Sequence, residues 1–201
     1  MLQKQRSNYE TANPDRFNQL LYLQKNIDMI GSESWNIIVV PYNPNWAEEF
    51  KKIEKELLAV INNTVLSIEH VGSTSVEGLY AKPIIDIDVV IGDNMFSLVK
   101  EKLKTIGYEH VGDIGIEGRE AFSYKNKEHL MEHHLYVCHK DANELKRHIT
   151  FRNHLRAHND DRDRYSQIKI EMAKKFPHDI DNYLLGKQSV ILDIYKKCGL
   201  L

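Results

Sequence analysis

The sequence predicts a domain of the α/β (α+β) class, with a short mixed β-sheet flanked by helices. Three observations lead there. β-branched runs occur at residues 37–40, 65–71 and 84–91. Segments of helical periodicity stand between and after them. Turn-forming pieces such as Asn43-Pro44-Asn45 and Gly72-Ser73 separate the two kinds of segment. Strands mixed with helices in this order bury their apolar faces as a sheet covered by helices.

Residues 1–34 read as an extension. Its first part, 1–13, is polar. Residues 14–30 place Phe17, Leu20, Leu21, Leu23, Ile27 and Ile30 at mostly helical spacing, started by Pro14-Asp15 and broken by Gly31-Ser32. The main domain is expected over residues 35–201. It opens with a strand at 37–40 that Pro41 closes. Asn45 is the expected N-cap of the next helix, with Glu48 three residues on in the manner of a capping box. That helix carries Trp46, Phe50, Ile53, Leu57 and Val60 on one face.

Strands follow at 65–71 and 84–91, then a helix at 94–106 that Gly107 ends. Two more strands are expected at 121–124 and 132–138. The last third reads as helices at 141–158, 161–175 and 180–197, with Pro177 between the last two.

Composition narrows the function classes. The chain has 201 residues, 42% hydrophobic and 28% charged, as an ordinary globular protein has. A formal net charge of -2 supplies no basic excess, so nucleic acid is not an expected partner. Cys138 and Cys198 lie far apart and match no zinc or redox spacing. The N-terminus has no apolar core of a signal peptide, and no run reaches a membrane span's length. A cytoplasmic protein is the expectation, without a membrane partner.

The chemistry concentrates in two stretches. Val71-Gly72-Ser73-Thr74-Ser75 is a strand end running into a turn, where glycine lets a backbone approach a phosphate closely. Twelve residues after Ser73 comes Asp86-Ile87-Asp88. Strand alternation puts Asp86 and Asp88 on one face and Ile85, Ile87, Val89 and Ile91 on the other, toward a core. Neighbouring carboxylates on a rigid strand repel unless a cation sits between them. Mg²⁺ suits such a pair, because it takes carboxylate oxygens together with substrate phosphates. The competing account is the wet face of an amphipathic strand. Aspartate is disfavoured within β-branched strands, and that argues for a site.

The motif with its flanks resembles the GrpB family of the nucleotidyltransferase superfamily. The resemblance rests on the Ile68-Glu69-His70-Val71-Gly72-Ser73-Thr74-Ser75-Val76-Glu77-Gly78-Leu79 stretch and on Ala81-Lys82-Pro83-Ile84-Ile85-Asp86. It extends to Val40-Pro41-Tyr42-Asn43-Pro44-Asn45-Trp46, His133-His134-Leu135-Tyr136-Val137, Phe151-Arg152-Asn153-His154-Leu155-Arg156, and Tyr183 with Lys187. The resemblance implies a nucleotidyltransferase-like fold. Gly72, Ser73 and Thr74 would hold the phosphates of a nucleoside triphosphate, with His70, Lys82, Arg152 and Lys187 as further phosphate contacts. Asp86 and Asp88 would be catalytic metal ligands for Mg²⁺, with two ions as the fuller form. A small acceptor would attack the α-phosphorus, and His134 would serve as a catalytic base.

Such folds use a third carboxylate on a neighbouring strand; here Glu132 or His134, on one face of the matching strand, is the candidate for that role, with Glu132 equally readable as a surface residue at the strand edge. Glu77 stands where many relatives carry proline. Two other readings stay open: a non-catalytic nucleotide- or coenzyme A-type ligand-binding domain, and a chaperone-like interaction protein docking through its N-terminal helix. A homodimer is compatible with either.

Other constellations are less specific. His154 and His158 share a helix face but lack the glutamate of a zinc-protease motif. Arg147, Arg152, Arg156, Arg162 and Arg164 with Lys169 are interleaved with Asp160, Asp161 and Asp163, as in a salt-bridged helix pair. No Gly-rich dinucleotide loop or Walker motif is present.

Overall fold

The computed structural model describes residues 36–201. The helix expected at 14–30, and the extension 1–34 as a whole, lie outside them. Among the described residues the chain runs through α1 (Asn45–Ile61), β1 (Ser67–Val71), a single 3-10 turn (Ser73–Ser75) and β2 (Ile85–Ile91). Then come α2 (Phe96–Lys104), β3 (Tyr108–Gly112), β4 (Arg119–Tyr124) and β5 (His133–His139). Three helices finish it: α3 (Asn143–Ala157), α4 (Asn159–Lys175) and α5 (Ile180–Lys197). The expected mixed α/β architecture is the observed one.

The five strands form one sheet in the order β1-β2-β5-β4-β3. β2 and β5 pair in parallel, and the other pairs are antiparallel. β2 and β5 thus have strand neighbours on both sides, and that forces their side chains into buried layers. The alternating residues Ile85, Ile87, Val89 and Ile91 join Leu135 and Val137 against Trp46, Ile53, Leu57 and Ile61 of α1 and Val99 and Leu103 of α2. On the opposite face, Val90, Ala121, Tyr136 and Cys138 pack with Ala142 and Leu145. The helices α3, α4 and α5 add a cluster of Leu155, Tyr165, Val190 and Ile194 that takes in Val76 and Leu79.

Three local expectations are corrected. Residues 37–40 form no strand; only Val40 bridges to Ala81. Ile37 instead buries itself with Ala173, Ile180, Tyr183 and Leu184, and its N–H donates to the Pro177 carbonyl at 2.8 Å. Burial against α4 and α5 satisfies that apolar run without a strand partner. Second, Asn45 is the first helical residue and Pro44 the capping position. Asn43 Oδ1 accepts the Asn45 N–H at 3.0 Å, so the cap lies earlier than expected. Third, β3 lies where no strand is expected. It forms the sheet edge and its burial alternates, which hides it among polar residues.

Candidate functional site

The site grows from the end of β1. Gly72 has φ 67° and ψ -170°, a left-handed φ that disfavours any side chain. Space decides the matter as well: a Cβ there would lie 2.0 Å from Asp86 Oδ2. The Gly72 backbone therefore sits directly against the Asp86 carboxylate. The turn is fastened by its own hydroxyls. Ser75 Oγ donates to the Gly72 carbonyl at 2.6 Å, and Thr74 Oγ1 donates to the Ile84 carbonyl at 3.0 Å.

Register places Asp86 beside Val71 on one side and His134 on the other. Asp88 stands one pair further along, between Glu69 and Tyr136. Both aspartates face α3, as alternation requires, but their surroundings differ. Asp86 Oδ1 accepts from His134 Nδ1 at 2.9 Å. Burial pushes the Asp86 carboxyl up; the His134 hydrogen bond and the charges of His134, His148 and Lys82 outweigh it and hold it below the usual range. Asp88 is 0% exposed. Its Oδ2 accepts from His148 Nδ1 at 2.7 Å, and its Oδ1 is buried without a hydrogen-bond partner.

His148 lies between two carboxylates, with Glu144 Oε1 3.2 Å from its Nε2. Burial alone would lower its pKa; Asp88 and Glu144 reverse that and raise it to about 10. Glu144 also holds Arg147 at 2.6 Å. Burial raises its carboxyl, but His148, Arg147 and Arg119 bring it down to about 2.

These residues border a cavity of about 230 Å³ between the sheet and α3–α5. Gly72, Ser73, Lys82, Asp86, His134, Arg152 and Lys187 line it, as the sequence suggests. Four expected site residues do not. Asp88 is sealed beneath His148. His70 faces α1, where its ring stacks on Phe50 at 4.7 Å and its Nε2 meets Thr74 Oγ1 at 3.0 Å. Burial drives the His70 pKa down to about 4, so it is a neutral prop for the turn. Thr74 is buried in that same contact. Glu132 precedes β5 outside the cavity, and its carbonyl accepts from the Ile85 N–H.

Arg119, Glu144, Arg147 and His148 line the cavity together with Lys169 and the aromatic rings of Phe151, Tyr165, Tyr183 and Tyr195. None of these stands out as a site residue in the sequence. Lys169 is buried and donates to the Tyr80 carbonyl. Burial, then repulsion from Lys187 and Lys82, puts its pKa well below that of an ordinary lysine. Three amines gathered at low exposure repel one another unless an anion lies among them.

Fold and site define a class: a mixed α/β domain whose Gly-Ser turn and Asp-x-Asp strand meet over one helix-covered cavity. The chain belongs to the GrpB family, whose model, described as GrpB protein, matches residues 36–197. A UPF0157 protein of Halalkalibacterium halodurans is 34% identical over 166 residues, 82% of this chain and 83% of that protein. The glutamate-rich protein GrpB of Alkalihalophilus pseudofirmus is 32% identical over 170 residues, 83% of this chain and 98% of the relative. The crystal structure of conserved protein GrpB from Enterococcus faecalis superposes with a TM-score of 0.70 at 33% identity, over 80% of this chain and 96% of that one. A remoter likeness reaches the Cid1 poly(U) polymerase, with a TM-score of 0.48 at 12% identity over 79% of this chain and 47% of that one.

Proposed function

We propose that the protein binds a nucleoside triphosphate in this cavity and transfers its nucleotidyl group to a small acceptor. The observation that carries this is the convergence of Gly72-Ser73, Asp86 and the amines of Lys82, Lys169 and Lys187 on one cavity. Amines gathered beside a Gly-Ser turn on one cavity suit a polyphosphate.

Of the two carboxylates, Asp86 lines the cavity and is placed to meet a Mg²⁺, while Asp88 lies sealed beneath His148 and would reach it only with that imidazole displaced. Asp88 Oδ1 is a buried oxygen lacking a hydrogen bond, and Asp86 shares its face. Mg²⁺ commonly takes one or two carboxylates and completes its shell with phosphates and water. Held by Asp86, it would screen the charge on the transferred phosphoryl group and its leaving group. The chain's own residues do the rest. Lys82, Lys169 and Lys187 hold the phosphates to be released. His134, bonded to Asp86 through Nδ1, keeps Nε2 available to take the acceptor's proton. The acceptor oxygen bonds to the α-phosphorus, the α–β bridging P–O bond breaks, and pyrophosphate leaves.

A second reading is a ligand-binding domain without catalysis. It is favoured by the His148 imidazolium, which already neutralises Asp88. Among the described residues, moreover, no group of three or more His, Cys, Asp or Glu is placed to hold a metal.

Isothermal titration of ATP, GTP, CTP and UTP, each with and without Mg²⁺, separates these readings. Metal-dependent binding that Asp86→Asn abolishes, followed by pyrophosphate release with an acceptor, supports transfer. Metal-independent binding without turnover supports the second reading. No binding by the wild type at millimolar nucleotide sinks transfer and leaves only a non-catalytic domain for another ligand.

A further inference from the structure

The cavity has a second anion-seeking group that the phosphate turn does not explain. Arg119 opens β4 and is 0% exposed. Among the described residues its Nε, Nη1 and Nη2 have no hydrogen-bond partner. Its guanidinium lies 4.4 Å from the centroid of the Tyr136 ring. Glu144 Oε1 is 4.0 Å from Nη1, too far for a hydrogen bond, and Glu144 spends its oxygens on Arg147 and His148. A buried guanidinium with its fork of N–H donors unused is costly, because those donors have left water for nothing.

Strand register says where this fork sits. Arg119 pairs with Cys138, and Ala121 with Tyr136. Asp86 pairs with His134. At the rise of a β-strand, the Arg119 row is roughly 13 Å along the sheet from the Asp86 row, but the guanidinium reaches back over the Tyr136 ring, whose row is roughly 7 Å from that of Asp86. Both rows border the same cavity. A small molecule can therefore be engaged near Asp86 at one end and by Arg119 at the other.

We propose that Arg119 docks an anionic group, a carboxylate or a phosphate, of the small acceptor molecule; this rests on the nucleotidyl-transfer reading for the word acceptor and on the unpartnered fork for the anion. The planar fork accepts either anion through paired hydrogen bonds. Tyr136 holds the guanidinium from one side. Glu144 is the resident negative charge with which the incoming anion competes, so entry of the ligand loosens the Glu144–Arg119 attraction and leaves Glu144 to Arg147 and His148.

The test uses sodium succinate and inorganic phosphate as probes at low ionic strength, read by calorimetry and thermal shift on the full chain. Binding to the wild type should weaken about tenfold or more in Arg119→Met, since hydrogen bonds to a charged group are lost. Binding should tighten in Glu144→Gln, where the competing charge is gone. Because Glu144 also neutralises Arg147 and His148, a merely structural Arg119 predicts the same tightening when Glu144→Gln is made in the Arg119→Met background, whereas a docking Arg119 predicts its loss there. Succinate binding should persist in Gly72→Ala, whereas phosphate, which also suits the Gly-Ser turn, should lose part of its signal.

If Arg119→Met does not fold, Arg119→Lys keeps the charge without the fork and should weaken succinate. The arginine Nε–H resonance of Arg119 in the wild type should also shift on addition of the probe. Equal probe affinity in wild type and in the Arg119 variants overturns the proposal, as does absence of probe binding to the wild type. MgATP titrated in parallel keeps the two readings apart. Succinate binding through Arg119 without MgATP binding removes the nucleotide and leaves the anion dock; the reverse removes the dock alone.

Discussion

Gly72 and Asp86 are in contact through a space that holds no further atom: a Cβ on Gly72 would fall 2.0 Å from Asp86 Oδ2. The turn and the strand are thus one unit. Gly72→Ala must shift Asp86 and also place an alanine at φ 67°. A loss of about 2–3 kcal/mol in urea unfolding is expected, from strain and displacement together. Nucleotide binding should fall with it. A Gly72→Ala protein of wild-type stability and affinity would contradict the described contact.

Asp86 and Asp88 should respond differently to the same change. Asp86→Asn leaves a cavity-lining amide and should abolish turnover with little effect on folding. Asp88→Asn removes the buried charge that faces the half-buried His148 imidazolium, and losing one partner of such a pair costs roughly 3 kcal/mol. Motif reasoning alone expects both to be tolerated structurally, and the burial of Asp88 revises that. The check is a pair of denaturant curves; equal curves for the two variants would refute the distinction.

His133 sets an acid limit on stability. Its Nδ1–H donates to the Met131 carbonyl at 2.8 Å, and its Nε2 accepts from Tyr108 Oη at 2.8 Å. Burial lowers its pKa to about 4; Met131, by accepting the Nδ1 hydrogen bond, and the Glu56 charge raise it, and the charges of His134 and Lys127 lower it further. The unfolded chain binds this proton near pH 6.5 and the folded one near 4. Stability from the neutral ring is complete above pH 6.5 and declines as the pH falls toward 4, by about 3 kcal/mol in all. His133→Phe should remove about half of that limb of the stability curve, leaving the comparable slope due to His70. An unchanged slope would show that the ring is not buried neutral.

Lys169 is held at an electrostatic cost. Lys169→Met takes away a buried amine repelled by Lys187 and Lys82. Unfolding of the ligand-free protein should move little, because a well-packed apolar chain replaces a buried charge without penalty. Affinity for MgATP or pyrophosphate should drop about tenfold or more, the worth of one charge-assisted contact. Retained affinity would show that the amine does not face the phosphates.

The sequence shows some of this directly. The β-branched run at 84–91 with its paired aspartates reads correctly as a half-polar strand, since period-two alternation survives in β2. The turn at Gly72-Ser73 and the cavity positions of Lys82, Arg152 and Lys187 follow from the family-like motif. Arg119 and Glu144 do not, because nothing in the sequence distinguishes a buried charge from a surface one. Burial arises when α3 folds back over β4 and β5, a contact between distant segments. His70 misleads for a related reason. It sits within the motif, but strand alternation turns it toward α1, while Val71 beside it faces the cavity. The run at 37–40 misleads because α4 and α5 offer it apolar cover that a strand partner otherwise would.

The cavity's two walls come from opposite ends of the described chain. The sheet supplies Gly72, Ser73 and Asp86, and α5 supplies Lys187 and Tyr195. During synthesis the turn and the aspartate strand therefore leave the ribosome long before the helix that closes over them. In that interval the cavity lacks its second wall. A ligand of the proposed kind could be captured only once α5 has docked, so its binding would report completion of the fold and not the presence of its motif.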